Sequence, residues 1–186
     1  MRFYTIALFC EAKPFIEHFA LKKSDDKLFK IYENSDIKLI ISGVGNINAC
    51  LATTYMLTKY NASKEDFAFN FGIAGANFSC NIGDVFEVSK VIDFSSKSIL
   101  LLPRKNENKA KKLTTVALPT VKIDIKNTLV DMEGYGFLKA AKKFIKSDEN
   151  IMIKKVVSDF LEDVKLDKDQ VSNFVKNILN KDKEVL

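Results

Sequence analysis

Hydrophobic residues recur along this chain with two different periods, and the changes of period mark out its elements. Residues 3–9 form an apolar run rich in β-formers, too short for a globular helix, and predict a first strand. Pro14 suits the first position of a helical stretch over residues 14–21, where its missing N–H goes unnoticed. Residues 27–33 alternate polar and apolar, residues 34–36 (Asn-Ser-Asp) favour a turn, and residues 37–42 are apolar again, which predicts a hairpin. A helix follows over 46–60, a strand over 67–71 that ends in Gly72-Ile73-Ala74-Gly75, and a longer strand over 84–94. Residues 97–112 are crowded with Lys and Asn and read as a mobile loop. Short strands over 113–118 and 128–131, a helix over 134–145, a strand over 151–157 and an amphipathic helix over 168–180 complete the chain. Strands alternating with helices predict an α/β layer structure with helices on the faces of a largely parallel sheet. Such sheets bind ligands where strands turn into helices, at their carboxyl ends.

Composition narrows the classes. The 186 residues read as a single domain, 1–186, large enough to need no disulfide or metal staple. Hydrophobic residues at 47% and charged residues at 28%, with 7 Gly and 3 Pro, exclude disordered and collagen-like chains. The net charge of +5 comes from scattered lysines and only two arginines, Arg2 and Arg104, which is a solvated surface and not a nucleic-acid patch. Cys10, Cys50 and Cys80 are odd in number and contain no Cys-x-x-Cys pair, which argues against a disulfide framework or zinc site and suits a reducing cytoplasm. No apolar run approaches the roughly 18 residues of a membrane span. The opening residues lack a signal-peptide cleavage pattern and read as the first strand.

Four sites at strand ends carry candidate chemistry. Ser42-Gly43-Val44-Gly45-Asn46 stands between a strand and a helix, where small residues let backbone N–H groups approach a ligand; taken alone it reads first as a tight turn. Asn70 to Ala76 offers a run of small residues that leaves room for a flat ligand, or simply packs sheet against loop. In Val130-Asp131-Met132-Glu133-Gly134, Glu133 can accept two hydrogen bonds from a vicinal diol, or serve as a helix N-terminal acid. Ser158-Asp159 follows an apolar strand. A desolvated Asp159 would donate a proton near neutrality, and a helix or turn cap is the alternative.

In order along the chain, SGVGNINA, NFGIAGA, IGDVFEVSKVID, VDMEG and VVSD resemble the nucleoside phosphorylase and nucleosidase superfamily. The VDMEG and SD pair, at this order and spacing, is the specific part. The resemblance implies a three-layer α/β/α fold with a central mixed sheet, and cleavage of the N-glycosidic bond of a purine nucleoside without a cofactor or metal. It implies that Glu133 holds the ribose 2′- and 3′-hydroxyls and that Met132 packs against the sugar. Asp159 would act at the base N7, positioned by Ser158, while Ala74, Gly75 and Gly43 line the substrate pocket. It also implies a homodimer.

The departures shape the reading. Phosphorylases place Ser or Thr where this chain has Ile73, and neither arginine lies in a phosphate motif, so hydrolysis by water is favoured over phosphorolysis. Glu11 is the candidate for activating that water, although an ungapped alignment sets Lys13 at the catalytic position. His18 reads as surface or structural. The segment before VDMEG is short and lacks the aromatic that stacks on the base. The leading expectation is a cytoplasmic nucleosidase; the alternatives are a phosphorylase and a nucleoside-binding protein without turnover.

Overall fold

The computed structural model describes residues 1–104, 110–119, 124–162 and 166–181. The first part runs β1 (Arg2–Ile6), α1 (Phe9–His18), β2 (Lys22–Lys23), β3 (Lys30–Glu33), β4 (Ile37–Ile41), α2 (Asn46–Lys59) and β5 (Phe67–Ala76). The second runs β6 (Val85–Asp93), β7 (Ile99–Leu101), β8 (Lys111–Thr115), β9 (Leu129–Asp131), α3 (Gly134–Phe144), β10 (Ile151–Asp159) and α4 (Lys168–Lys181). The strands make one mixed sheet, and the expected β3–β4 hairpin is present with Lys30 opposite Ile41.

Alternation along β1 shows the three layers. Tyr4 and Ile6 point into an apolar cluster with Ala12 and Phe15 of α1 and Val175 and Ile178 of α4. Phe3 points the other way, against Ala52, Met56 and Leu57 of α2, and the Thr5 hydroxyl meets that of Thr53 at 2.9 Å. The helix α3 packs beside α2 and over β6, β8 and β10.

β5 is the centre. Its first residues pair in parallel with β1 as far as Asn70, and with β10 along its length. Where β1 stops, β9 takes over in the opposite direction, with Gly75 opposite Val130. The sheet thereby closes on itself through β5, β10, β6, β8 and β9. Between the end of β1 and the start of β9, one edge of β5 is open, and the cavity described below lies there.

Several sequence expectations change. The strand expected to end at Phe71 continues to Ala76. Its glycines mark close approach, not the strand's end. A Cβ on Gly72 would lie 2.7 Å from a Glu11 carboxylate oxygen, and one on Gly75 would lie 2.8 Å from Asp159 Oδ1. The first helix starts at Phe9, so Pro14 falls inside it. The Cys10 carbonyl, which loses its helical donor to that proline, accepts the Ser172 hydroxyl of α4 at 2.5 Å. The expected 97–112 loop contains β7 and the start of β8, which pair with the two edges of β6; residues 105–109 lie outside the described residues.

The two helices on one face touch at a glycine. A Cβ on Gly136 would sit 2.0 Å from the Asn46 backbone oxygen, which no side-chain rearrangement relieves. Gly136→Ala is expected to destabilise the protein by about 2 kcal/mol or more in urea denaturation, although alanine is the better helix former. A neutral or stabilising effect would show that α2 and α3 do not pack this closely.

Candidate active site

The open edge of β5 borders a cavity of about 410 Å³, within the roughly 300–1,000 Å³ of small-molecule sites. Glu11, Ala74, Gly75, Met132, Glu133, Ser158 and Asp159 all line it, so residues from four separate segments meet in one hollow. Gly43 does not line the cavity, while its neighbour Val44 does. Gly43 instead continues the sheet by donating its N–H to the Ala7 carbonyl at 3.0 Å, with φ of +79°.

Glu11 reaches the cavity because α1 begins one turn after β1. Its carboxylate accepts the Leu8 N–H at 2.9 Å and the Ile73 N–H, on the open edge of β5, at 3.0 Å. Burial raises its pKa; the Ile73 N–H, the Lys155 ammonium and the Leu8 N–H oppose that, and Asp131 adds to it. Lys13, the alternative by ungapped alignment, is exposed, pairs with Glu17 at 3.8 Å and does not line the cavity.

Glu133 lies just before α3 and is 8% exposed. Its Oε1 accepts the Gly45 N–H, at the N-terminus of α2, at 2.8 Å. Burial first, and then the Asp131 charge, push its carboxyl up to about 7, against the pull of Lys155 and the Gly45 N–H. Asp159 is reached through a bulge: Val157 pairs with Ala74 and Asp159 with the very next residue, Gly75. The extra residue turns Asp159 toward the cavity, as bulges beside sites do. Asp159 is half-buried; its Oδ2 accepts the Ser158 hydroxyl at 2.7 Å and its Oδ1 the Leu161 N–H at 2.9 Å.

The sequence reading missed the ion pair beneath these acids. Lys155 Nζ lies 2.9 Å from Asp131 Oδ2, with side-chain exposures of 2% and 1%. Asp131 also accepts the Thr115 hydroxyl and the Gly134 N–H, both at 2.8 Å. Burial works against the Lys155 charge, but Asp131, Glu133 and Glu11 outweigh it and raise its pKa. The signal was present: adjacent lysines in a strand face opposite ways, so two lysines in the apolar run IMIKKVV put at least one against the core, and both Lys154 and Lys155 are buried. Apolar wall residues Leu8, Val116, Pro119 and Leu161 were also missed, being drawn from unrelated segments.

Among the described residues, the lining contains no Lys, Arg, His or aromatic side chain. Arg104 is committed elsewhere, 2.7 Å from Glu87 and donating to the Asp148 carbonyl at 3.0 Å. Arg2 lies at the opposite end of β1 from Glu11. No group of residues suited to a metal occurs among the described residues.

Comparisons with known proteins agree with this architecture. No protein-family model matches the chain. A 5′-methylthioadenosine/S-adenosylhomocysteine nucleosidase of Bacillus subtilis (strain 168) is 40% identical over 55 residues, which is 29% of this chain and 22% of that protein. The matched part thus spans about a fifth of that curated relative's length. The apo structure of Arabidopsis thaliana 5′-methylthioadenosine nucleosidase superposes with a TM-score of 0.74 at 20% identity, covering 100% of this chain and 96% of that one. Futalosine hydrolase of Helicobacter pylori strain 26695 gives 0.73 at 15% identity, covering 97% of each chain. The chain has the three-layer fold of the nucleoside phosphorylase and nucleosidase superfamily. The resemblance read from its motifs is borne out by these partial relatives and structural neighbours.

Glu133 makes the site costly to fold around. Its folded pKa, about 7, exceeds its ordinary 4.5, so the native state keeps a proton that the unfolded chain has lost. Stability therefore falls as pH rises across that window. Glu133→Gln keeps an oxygen for the Gly45 N–H and removes this effect. Its stability relative to wild type is expected to be greater at pH 8 than at pH 4 by roughly 1–3 kcal/mol in denaturant titrations. An equal difference at both pH values would show that Glu133 ionises normally.

Proposed function

We propose that this chain is a nucleosidase, hydrolysing the N-glycosidic bond of a purine nucleoside to the free base and ribose. The observation that carries the reading is the convergence of Glu11, Glu133 and Asp159 on one cavity. Glu133, as a carboxylate, accepts hydrogen bonds from the ribose 2′- and 3′-hydroxyls, and its charge stabilises the positive charge that develops on the sugar. Met132 packs against the sugar. Asp159 donates a proton to N7 as the bond from C1′ to N9 breaks and its electron pair moves into the purine. Ser158 orients Asp159 by donating to its Oδ2. The Glu11 carboxylate accepts a proton from the water whose oxygen bonds to C1′. A well-placed acid or base of this kind is worth roughly 10²–10⁴-fold.

Water, and not phosphate, is the nucleophile in this reading. The support is a wall rich in carboxylates and the apolar Ile73 at the position where phosphorylases carry a hydroxyl. A nucleoside-binding protein without turnover is a second reading, favoured by the absence of a stacking aromatic among the described lining residues. We also propose a homodimer: Val44 in the cavity wall and Ile47 and Leu51 on α2 are exposed apolar side chains beside the cavity. The cytoplasm is the proposed compartment, in keeping with three unpaired cysteines.

The test is release of free base from a panel of purine nucleosides, with and without phosphate. Phosphate-independent release is expected, with Asp159→Asn and Glu11→Gln each lowering kcat by about 10²-fold or more. Strict dependence on phosphate would establish phosphorolysis, and binding without release the second reading. Because Glu133 binds as the anion, kcat/KM is expected to rise with pH through about 7, and Glu133→Gln is expected to abolish that rise. A profile flat across that range would remove Glu133 from the reaction.

A further inference from the structure

We propose that Ser172, on α4 and outside the cavity, is a positioning residue that holds the Glu11 carboxylate in the site. This deepens the nucleosidase reading and takes the role of Glu11 from it. In a regular helix the Cys10 carbonyl would accept the N–H of residue 14, which here is Pro14 and has none. A proline ring also crowds the carbonyl four residues back, which favours turning it outward. The Ser172 hydroxyl takes the missing donor's place and donates to the Cys10 oxygen at 2.5 Å. That oxygen belongs to the planar peptide unit whose nitrogen is that of Glu11. The bond from α4 therefore fixes the plane from which the Glu11 side chain springs.

Both ends of this link are held. Asp167 caps α4 by accepting the N–H groups of Asp169 at 2.9 Å and Gln170 at 2.8 Å, and the Gln170 side chain accepts the Asp167 N–H at 3.0 Å. Val175 and Ile178 bury α4 against Ala12 and Phe15 of α1. Glu11 for its part has little room. One oxygen takes the Leu8 N–H, the other takes the Ile73 N–H, and a Cβ on Gly72 would lie 2.7 Å from it. A tilt of the peptide plane between Cys10 and Glu11 moves both oxygens off their donors. Misplacing a reacting group by about 1 Å can cost about 10²-fold in rate. Ser172 does not line the cavity, so its effect passes through the Cys10 carbonyl.

The test is a double-mutant cycle on the full chain, with Ser172→Ala, Pro14→Ala and the two combined. Pro14→Ala gives α1 back its own donor to the Cys10 carbonyl, which has two lone pairs and can accept both. Two quantities are read: base release from the purine nucleoside panel, and hydrogen exchange of the Ile73 amide by NMR, which reports the Glu11 carboxylate that holds it. Ser172→Ala is expected to lower kcat about 10-fold while KM stays within about 2-fold. It is also expected to speed Ile73 exchange about 5-fold or more relative to the Tyr4 amide of β1. In the Pro14→Ala background, adding Ser172→Ala is expected to change either quantity by less than about 2-fold. Equal losses in both backgrounds, or an Ile73 amide unmoved by Ser172→Ala, would overturn the inference while leaving the nucleosidase reading intact. A wild-type chain that releases no base from any nucleoside would overturn the nucleosidase reading, and Ile73 exchange alone would then decide whether Ser172 places Glu11.

Discussion

The site depends on holding several carboxylates close together away from water. Isolated, Glu11, Asp131 and Glu133 would each lose much solvation on burial and would repel one another. Backbone N–H groups and one buried ammonium offset this. Three helices begin near the cavity, and each gives an N–H from its first turn or cap to one of these acids. Lys155 completes the arrangement through its 2.9 Å contact with Asp131. The compensation is unequal. Asp131 receives an ammonium, a hydroxyl and an N–H, whereas Glu133 receives one N–H and is pushed up to about 7. Unequal environments separate the roles of chemically similar groups, so a structural acid and a reactive one can stand side by side.

Topology brings these groups together. β1 and β9 approach β5 from opposite directions and leave a stretch of its edge between them. Donors on that stretch must find other partners, and Glu11 is the partner for Ile73. Glycines at 72 and 75 let Glu11 and Asp159 come against the strand where a methyl group would collide. The bulge in β10 then turns Asp159 into the same hollow. Small in-strand residues, an interrupted edge and a bulge are three local departures from regular structure, and all three fall at the cavity.

Much of the layer order was legible from periodicity, because β1, β4, α3 and α4 each show a clean apolar pattern. Boundaries failed where tertiary contacts override local preference. Pro14 signalled a helix start, but the Ser172 hydroxyl supplies the donor that the proline removes, and α1 begins earlier. Gly72 and Gly75 signalled the end of a strand, although the strand continues and they admit carboxylates from elsewhere. Glu133, Asp159 and Met132 could be chosen as candidates because they stand at strand ends. The choice of Glu11 over Lys13 could not be made from spacing alone; it depends on where α1 starts relative to Ile73. Lys155 was hidden by its chemistry, since a lysine in a strand is usually at the surface, and its burial is explained by Asp131, with Glu133 and Glu11 nearby.

A crystal structure of the Asp159→Asn variant with a bound purine nucleoside tests the central claim most directly. The expected density has the ribose 2′- and 3′-oxygens within hydrogen-bond distance of Glu133. The base N7 should face the side chain at position 159, and a water on Glu11 should lie on the opposite face of C1′. A nucleoside bound outside this hollow, or inside it with its diol turned away from Glu133, would contradict the assignment of roles to these three acids.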